Sequence, residues 1–203
     1  MNDAVPVAGL ARADLTLDEL GSGAGTIVLV EGDSDAAAVA TIAARLRTIR
    51  ELEVLSAHGV TNYRHLLARL RADHPGRRVV GLYDAPEEGV VRQALERSGI
   101  GRPIDRVAIE RLGFFACVAD LEDEFIRAIG ADRVEQVIDE QGELEAFRIL
   151  QRQPAQRGRP VVAQLRRFMG TKSARKIRYG RLLAAAVDLD RCPLPLRRVV
   201  SGE

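Results

Sequence analysis

Four short apolar runs constrain this chain most: TIVLV from Thr26, LEVLS from Leu52, RVVGLY from Arg78 and GFFACVA from Gly113. TIVLV is a continuous β-branched run rather than an alternating one, which is the pattern of a strand buried on both faces. Helical segments separate the runs. An alanine-rich stretch leads towards Arg47, with Ser34 or Asp35 placed to cap it. NYRHLLARLRAD is amphipathic, and EEGVVRQALERSG ends on the glycine expected after a helix. This β-α-β-α order predicts an α/β fold, a Rossmann-like parallel sheet flanked by helices on both faces. Beyond Ala131 the pattern is helical without clear strands. We therefore expect a flexible lead-in over 1–24, an α/β core over 25–130, and a helical, basic C-terminal region over 131–203 packed on that core.

Several functions are excluded early. The glycine cluster GSGAG precedes the first strand, whereas phosphate-cradling loops follow a strand and open a helix. No GxxxxGK[ST] occurs. No apolar run approaches the roughly 18 residues of a membrane span. Asp3, Asp14, Asp18 and Glu19 make the first twenty residues unlike a targeting peptide. A cytoplasmic protein without membrane contact is expected. Cys117 and Cys192 lack CxxC spacing, and the three histidines form no metal-ligand pattern.

Acids gather where the apolar runs end. IVLVEGDSD delivers Glu31, Asp33 and Asp35; the third run ends in Asp84, Glu87 and Glu88; the fourth leads to Asp120, Glu122, Asp123 and Glu124. Ligands of open parallel sheets bind at the carboxyl ends of the strands. Carboxylates grouped there without histidine suit Mg2+ or Mn2+. Left unpaired they would raise one another's pKa, and a cation removes that penalty. Glu31 and Asp84 terminate their runs directly and are the first choices for metal ligands. Asp35, Glu87, Glu88, Asp120 and Glu122 complete the candidate set. Asp33, Asp123 and Glu124 fit better as charges favoured at helix N-termini.

A strand ending in EGxxD, followed by a later strand ending in an acidic turn, resembles the TOPRIM domain of topoisomerases, primases and nucleases. The closer resemblance is to the OLD (overcoming lysogenisation defect) family of TOPRIM nucleases, and to stand-alone TOPRIM nucleotidyl transferase/hydrolase domains. It covers most of residues 26–200. On that resemblance Glu31 matches the first metal-binding glutamate, Asp35 the acid of EGxxD, and Asp84 the first aspartate of a DxD pair. ADLEDEFIRAIG matches an LE segment, with Glu122 as its glutamate. The family joins its TOPRIM domain to an ATPase domain, so a separate ATPase is one partner the resemblance implies. One departure stands out: YDAPEE places Pro86 where DxD has its second aspartate. Proline cannot ligate through its side chain, so Glu87 or Glu88 must reach in, or the second metal is lost.

The C-terminal quarter carries the opposite charge. Residues 1–150 hold 17 basic and 26 acidic side chains, against 13 and 3 in 151–203. The only two lysines, Lys172 and Lys176, stand among 28 arginines and share a helix face at i and i+4. A compact ammonium suits charge developing on a phosphorus centre. OLD nucleases place a catalytic lysine in a similar location, which the resemblance extends to Lys176 or Lys172, and Lys176 is preferred for lying further inside the expected helix; phosphate positioning or a salt bridge is the other role open to both. Arg152, Arg157, Arg159, Arg166, Arg167, Arg175, Arg178 and Arg181 form a block suited to nucleic-acid backbone, with DNA ahead of RNA. The expected function is thus a divalent-metal-dependent phosphoryl transfer on nucleic acid, an OLD-like endonuclease without its own ATPase domain. A catalytically degenerate nucleic-acid- or protein-binding module is the alternative, with a small-molecule phosphatase or nucleotidyl transferase behind it.

Overall fold

The computed structural model describes residues 11–21, 23, 25–48 and 51–202. Five strands form one sheet: β1 Ala11–Leu15, β2 Thr26–Val30, β3 Leu52–Ser56, β4 Val79–Asp84 and β5 Phe114–Cys117. They run in the order β1-β3-β2-β4-β5, every pair parallel. The four apolar runs are thus four of the strands. The fifth, β1, lies within the stretch expected to be a flexible lead-in, and pairs with β3 at the sheet edge. Its ARADL sequence is short and mixed, which is how edge strands commonly read. The rest of that expectation, residues 1–10, 22 and 24, lies outside the described residues.

Alternate side chains of the central strands enter two separate cores. Val28, Val30, Val54, Val80, Leu82 and Phe115 join one; Ile27, Leu29, Leu55, Tyr83 and Phe114 join the other. This double burial is why the runs are continuous rather than alternating. The second core is covered by α2 Tyr63–Asp73, α3 Glu88–Arg97 and α4 Arg106–Arg111. The first is covered by α1 Asp33–Leu46 and the C-terminal helices: α5 Leu121–Ile129, α6 Ala131–Glu140, α7 Leu144–Arg152, α8 Val161–Met169, α9 Ser173–Ala186 and α10 Leu194–Ser201. Phe147, Phe168 and Tyr179 stack edge-on there and tie α7, α8 and α9 together. Among the described residues no helix is long and apolar enough to cross a membrane.

The topology fixes where a ligand can enter. After β2 the chain leaves through α1 on one face and returns as β3; after β4 it leaves through α3 on the opposite face towards β5. The connections diverge between β2 and β4, opening a crevice at their carboxyl ends. Glu31 and Asp84 stand on its two lips.

Candidate functional site

A cavity of about 240 Å³ occupies this crevice, lined by Glu31, Asp35, Asp84, Asp120, Glu122 and Lys176, with Gly32, Asp33, His58 and Gly59 at its margin. Helix α1 begins immediately after Glu31, with Gly32 rather than Ser34 or Asp35 at its N-cap. Asp35, three residues on, accepts a 3.0 Å hydrogen bond from the Gly32 amide. That bond turns its carboxylate back towards Glu31. Burial, reinforced by Glu122 and Glu31, pushes the Asp35 pKa up to about 7 although Lys176 and the Gly32 amide oppose it.

Pro86 proves to be the device that supplies the next acid. Residues Ala85–Glu87 form a 3-10 turn with proline in its first positions and Asp84 as its N-cap. Residues three apart eclipse one another in such a turn, so Asp84 and Glu87 come to the same side. Burial and contact with the Glu31 carboxyl push Glu87 up to about 7. Asp84 rises to about 8, from burial first and then from Glu31, Asp35, Asp120 and Glu87. Glu88 goes elsewhere: it opens α3 and pairs with Arg106 at 2.8 Å. The structure therefore takes Glu88 out of the candidate ligands and leaves Glu87 among them.

The acidic run after β5 divides in the same way. Asp120 caps α5 by accepting from the Asp123 amide at 2.8 Å, and its other oxygen is held by Arg166 of α8. Glu122, only 6% exposed, points into the cavity, where its Oε1 lies 3.4 Å from Lys176 Nζ. Burial raises the Glu122 pKa, with Lys176 acting against it. Asp123 and Glu124 both pair with Arg127, and Glu124 also accepts from the Val118 amide at 2.8 Å. These two serve the helix, as their position suggests.

Lys176 is thus the lysine that reaches the cavity. Burial works against its charge, but Glu122 and Asp35 raise its pKa regardless. Lys172 is the exposed N-cap residue of α9, one turn away, and does not line the cavity. Half of the arginine block is ion-paired, three of the four to acids distant in sequence. Arg152 pairs with Glu145, Arg166 with Asp120, and Arg175 and Arg178 both with Glu143. Arg157 donates to the Arg152 carbonyl at 2.9 Å. Among the described residues Arg159, Arg167 and Arg181 are exposed and carry no ion pair. The expectation of eight arginines available to phosphate must be corrected accordingly, because four of them are already paired.

His58 and Gly59 join the site although no motif in the sequence singles them out. His58 has φ 50° and Gly59 φ 117°, and the turn they make aims the Gly59 amide at the Glu31 carbonyl, 3.0 Å away. The imidazole Nδ1 lies 3.3 Å from Asp33 Oδ1. The available signal was a His-Gly pair directly after a buried strand, since glycine there marks a backbone that turns with positive φ.

Glu31 Oε2 and Glu87 Oε2 are buried without a hydrogen-bond partner. Such atoms are costly to leave unsatisfied. As the side chains stand, no three His, Cys, Asp or Glu residues among those described are grouped tightly enough to hold a metal ion. The cavity gathers Glu31, Asp35, Asp84, Asp120 and Glu122 beside a single lysine.

A scan against protein-family models found no match, and a search of curated proteins found none. Solved structures do resemble the chain. The C-terminal region of the Xanthomonas campestris pv. campestris OLD protein superposes with a TM-score of 0.63 at 25% identity, covering 86% of this chain and 89% of that one. The C-terminal region of the Burkholderia pseudomallei OLD protein gives a TM-score of 0.62 at 22% identity, covering 89% and 96%. The chain has the α/β fold of these OLD C-terminal regions, the TOPRIM domain of those proteins.

Proposed function

We propose that this protein is a divalent-metal-dependent phosphoryl-transfer enzyme acting on nucleic acid, an OLD-like DNA endonuclease. One observation carries the proposal: two neighbouring, half-buried glutamates at a strand-end crevice, Glu31 and Glu87, each keep one carboxylate oxygen buried and without a hydrogen-bond partner. Asp84 and Asp35 crowd the same cavity with raised pKa values. A purely structural acid would be expected to recruit arginine, as Glu143 does; Glu31 and Glu87 have no ion pair among the described residues.

The donors fit a hard cation such as Mg2+ or Mn2+, being carboxylate oxygens without sulfur. Glu31, Asp35, Asp84, Glu87, Asp120 and Glu122 would be the residues to hold it. When bound, such an ion lowers the pKa of an attached water and neutralises charge on a phosphoryl oxygen. The protein's own groups do the rest. Lys176 keeps an ammonium beside Glu122 where negative charge would grow on phosphate. Arg166 fixes Asp120 in place. Arg159, Arg167 and Arg181 are free to meet the nucleic-acid backbone.

The competing view, a binding module without its own chemistry, rests on Pro86. The position of Glu87 weighs against it, because the 3-10 turn restores an acid three residues after Asp84. Titration calorimetry with Mn2+ tests the proposal. Wild type should bind and Glu31→Gln should bind at least tenfold more weakly. Absence of binding to the wild type would refute it.

A further inference from the structure

A second cavity, of about 350 Å³, opens beside the acidic one and shares His58 with it. Its walls are Leu17, Leu55 and Leu66, and its polar groups include Asn62 and His65. No Asp, Glu, Lys or Arg lines it among the described residues. The two cavities therefore meet at one imidazole, one strongly charged and the other without formal charge.

We propose that this groove seats a nucleoside, base and sugar, of the strand whose phosphate lies at the acidic cavity. The proposal rests on the phosphoryl-transfer reading and adds a subsite to it. The volume falls in the range of roughly 300–1,000 Å³ typical of small-molecule sites. Leucine walls with a few polar groups suit a neutral, flat, polar-edged ligand, whereas a free anion would find no cation there. Asn62 Nδ2 is committed to the Ala57 carbonyl at 2.8 Å, which fixes the amide and leaves its oxygen to accept from a base edge. His58 and His65 supply aromatic planes in a chain with no tryptophan. Unpaired bases stack on histidine as they do on the larger aromatics. Continuity through His58 is what selects a nucleoside over other neutral ligands, since a nucleoside is the neutral group covalently next to a phosphate.

The test uses the full chain, labelled with 15N, and adenosine as a probe without metal. Adenosine should shift the amide resonances of Asn62, His65 and Leu66. His65→Ala, at an exposed position, should weaken binding at least about fivefold, the lower end of one base-stacking contact. Leu66→Trp should fill the groove and abolish binding. Neither variant should alter Mg2+ affinity, measured separately by calorimetry. Should Leu66→Trp fail to fold, His65→Ala decides alone. Unmoved amides, an unchanged His65→Ala affinity, or equal shifts with a neutral tripeptide would overturn the nucleoside assignment. Failure of the wild type to bind Mg2+ would instead strike the phosphoryl-transfer reading, and the two failures are separately visible.

Discussion

A β-carbon added to Gly180 would lie 2.5 Å from the carbonyl oxygen of Ser34. Helix α9 therefore rests with its backbone against the first turn of α1, the turn that follows Glu31. Lys176 stands four residues before Gly180, on the same face of α9. The close approach of two backbones is what brings the lysine to Glu122 and Asp35.

Gly180→Ala should accordingly destabilise the protein by about 1–3 kcal/mol, as overpacking does, even though alanine is the better helix former. Gly89 in α3 has nothing within 4 Å of its added β-carbon. Gly89→Ala should leave stability unchanged or raise it by up to about 1 kcal/mol. Thermal melts of the two variants check this. Equal effects would show that α1 and α9 do not pack tightly.

Glu87 and Glu88 should behave differently although adjacent. Glu87→Ala removes a half-buried carboxylate against Glu31 and should lower Mn2+ affinity at least tenfold. Glu88→Ala breaks a pair with Arg106, and exposed pairs contribute only about 0–1 kcal/mol. Its Mn2+ affinity should match the wild type in the same calorimetric titration.

The pH dependence of stability follows from the raised acids. Asp35 and Glu87 titrate at about 7 and Asp84 at about 8 in the fold, against roughly 4 in an unfolded chain. Between those values the folded state holds protons that the unfolded state has released, so stability falls as pH rises and levels off above about pH 8. In metal-free buffer the melting temperature should drop between pH 5 and 8. A divalent cation displaces these protons, so Mg2+ should raise the melting temperature more at pH 8 than at pH 5.5. A rise with pH in metal-free buffer would contradict the placement of these carboxylates.

Two sets of arginines should separate by function. Replacing Arg159, Arg167 and Arg181 with alanine should weaken DNA binding and reduce its salt slope by about 0.9 for each phosphate no longer neutralised. Arg175→Ala with Arg178→Ala should instead lower stability, because both remove cations from Glu143, the acceptor of the Tyr179 hydroxyl. Filter binding across a salt series and thermal melts distinguish the two outcomes.

How much of this was legible in the sequence depended on the range of the interaction. The buried strands and their terminal acids Glu31 and Asp84 follow from local pattern alone, and so does the helical role of Asp123 and Glu124. Glu87 and Glu88 could not be told apart, since only the 3-10 turn imposed by Pro86 decides which one faces Glu31. The pairing of Arg175 and Arg178 with Glu143 spans more than thirty residues, and no spacing rule reveals it. Glu53 in β3 is buried against Arg77 at 2.6 Å, a charge inside a strand that composition treats as apolar. His58 reached the site through a positive φ that its residue type does not announce.

The most direct test of the central claim is cleavage of supercoiled plasmid with Mn2+, comparing wild type, Glu31→Ala and Lys176→Ala. Wild type should convert the plasmid to nicked or linear forms. Both variants should lose this activity by at least about a hundredfold, as expected when an interaction made at the transition state is removed, while Lys176→Ala keeps near-normal DNA affinity. Intact plasmid with wild type and Mn2+, or undiminished cleavage by Glu31→Ala, would contradict that claim.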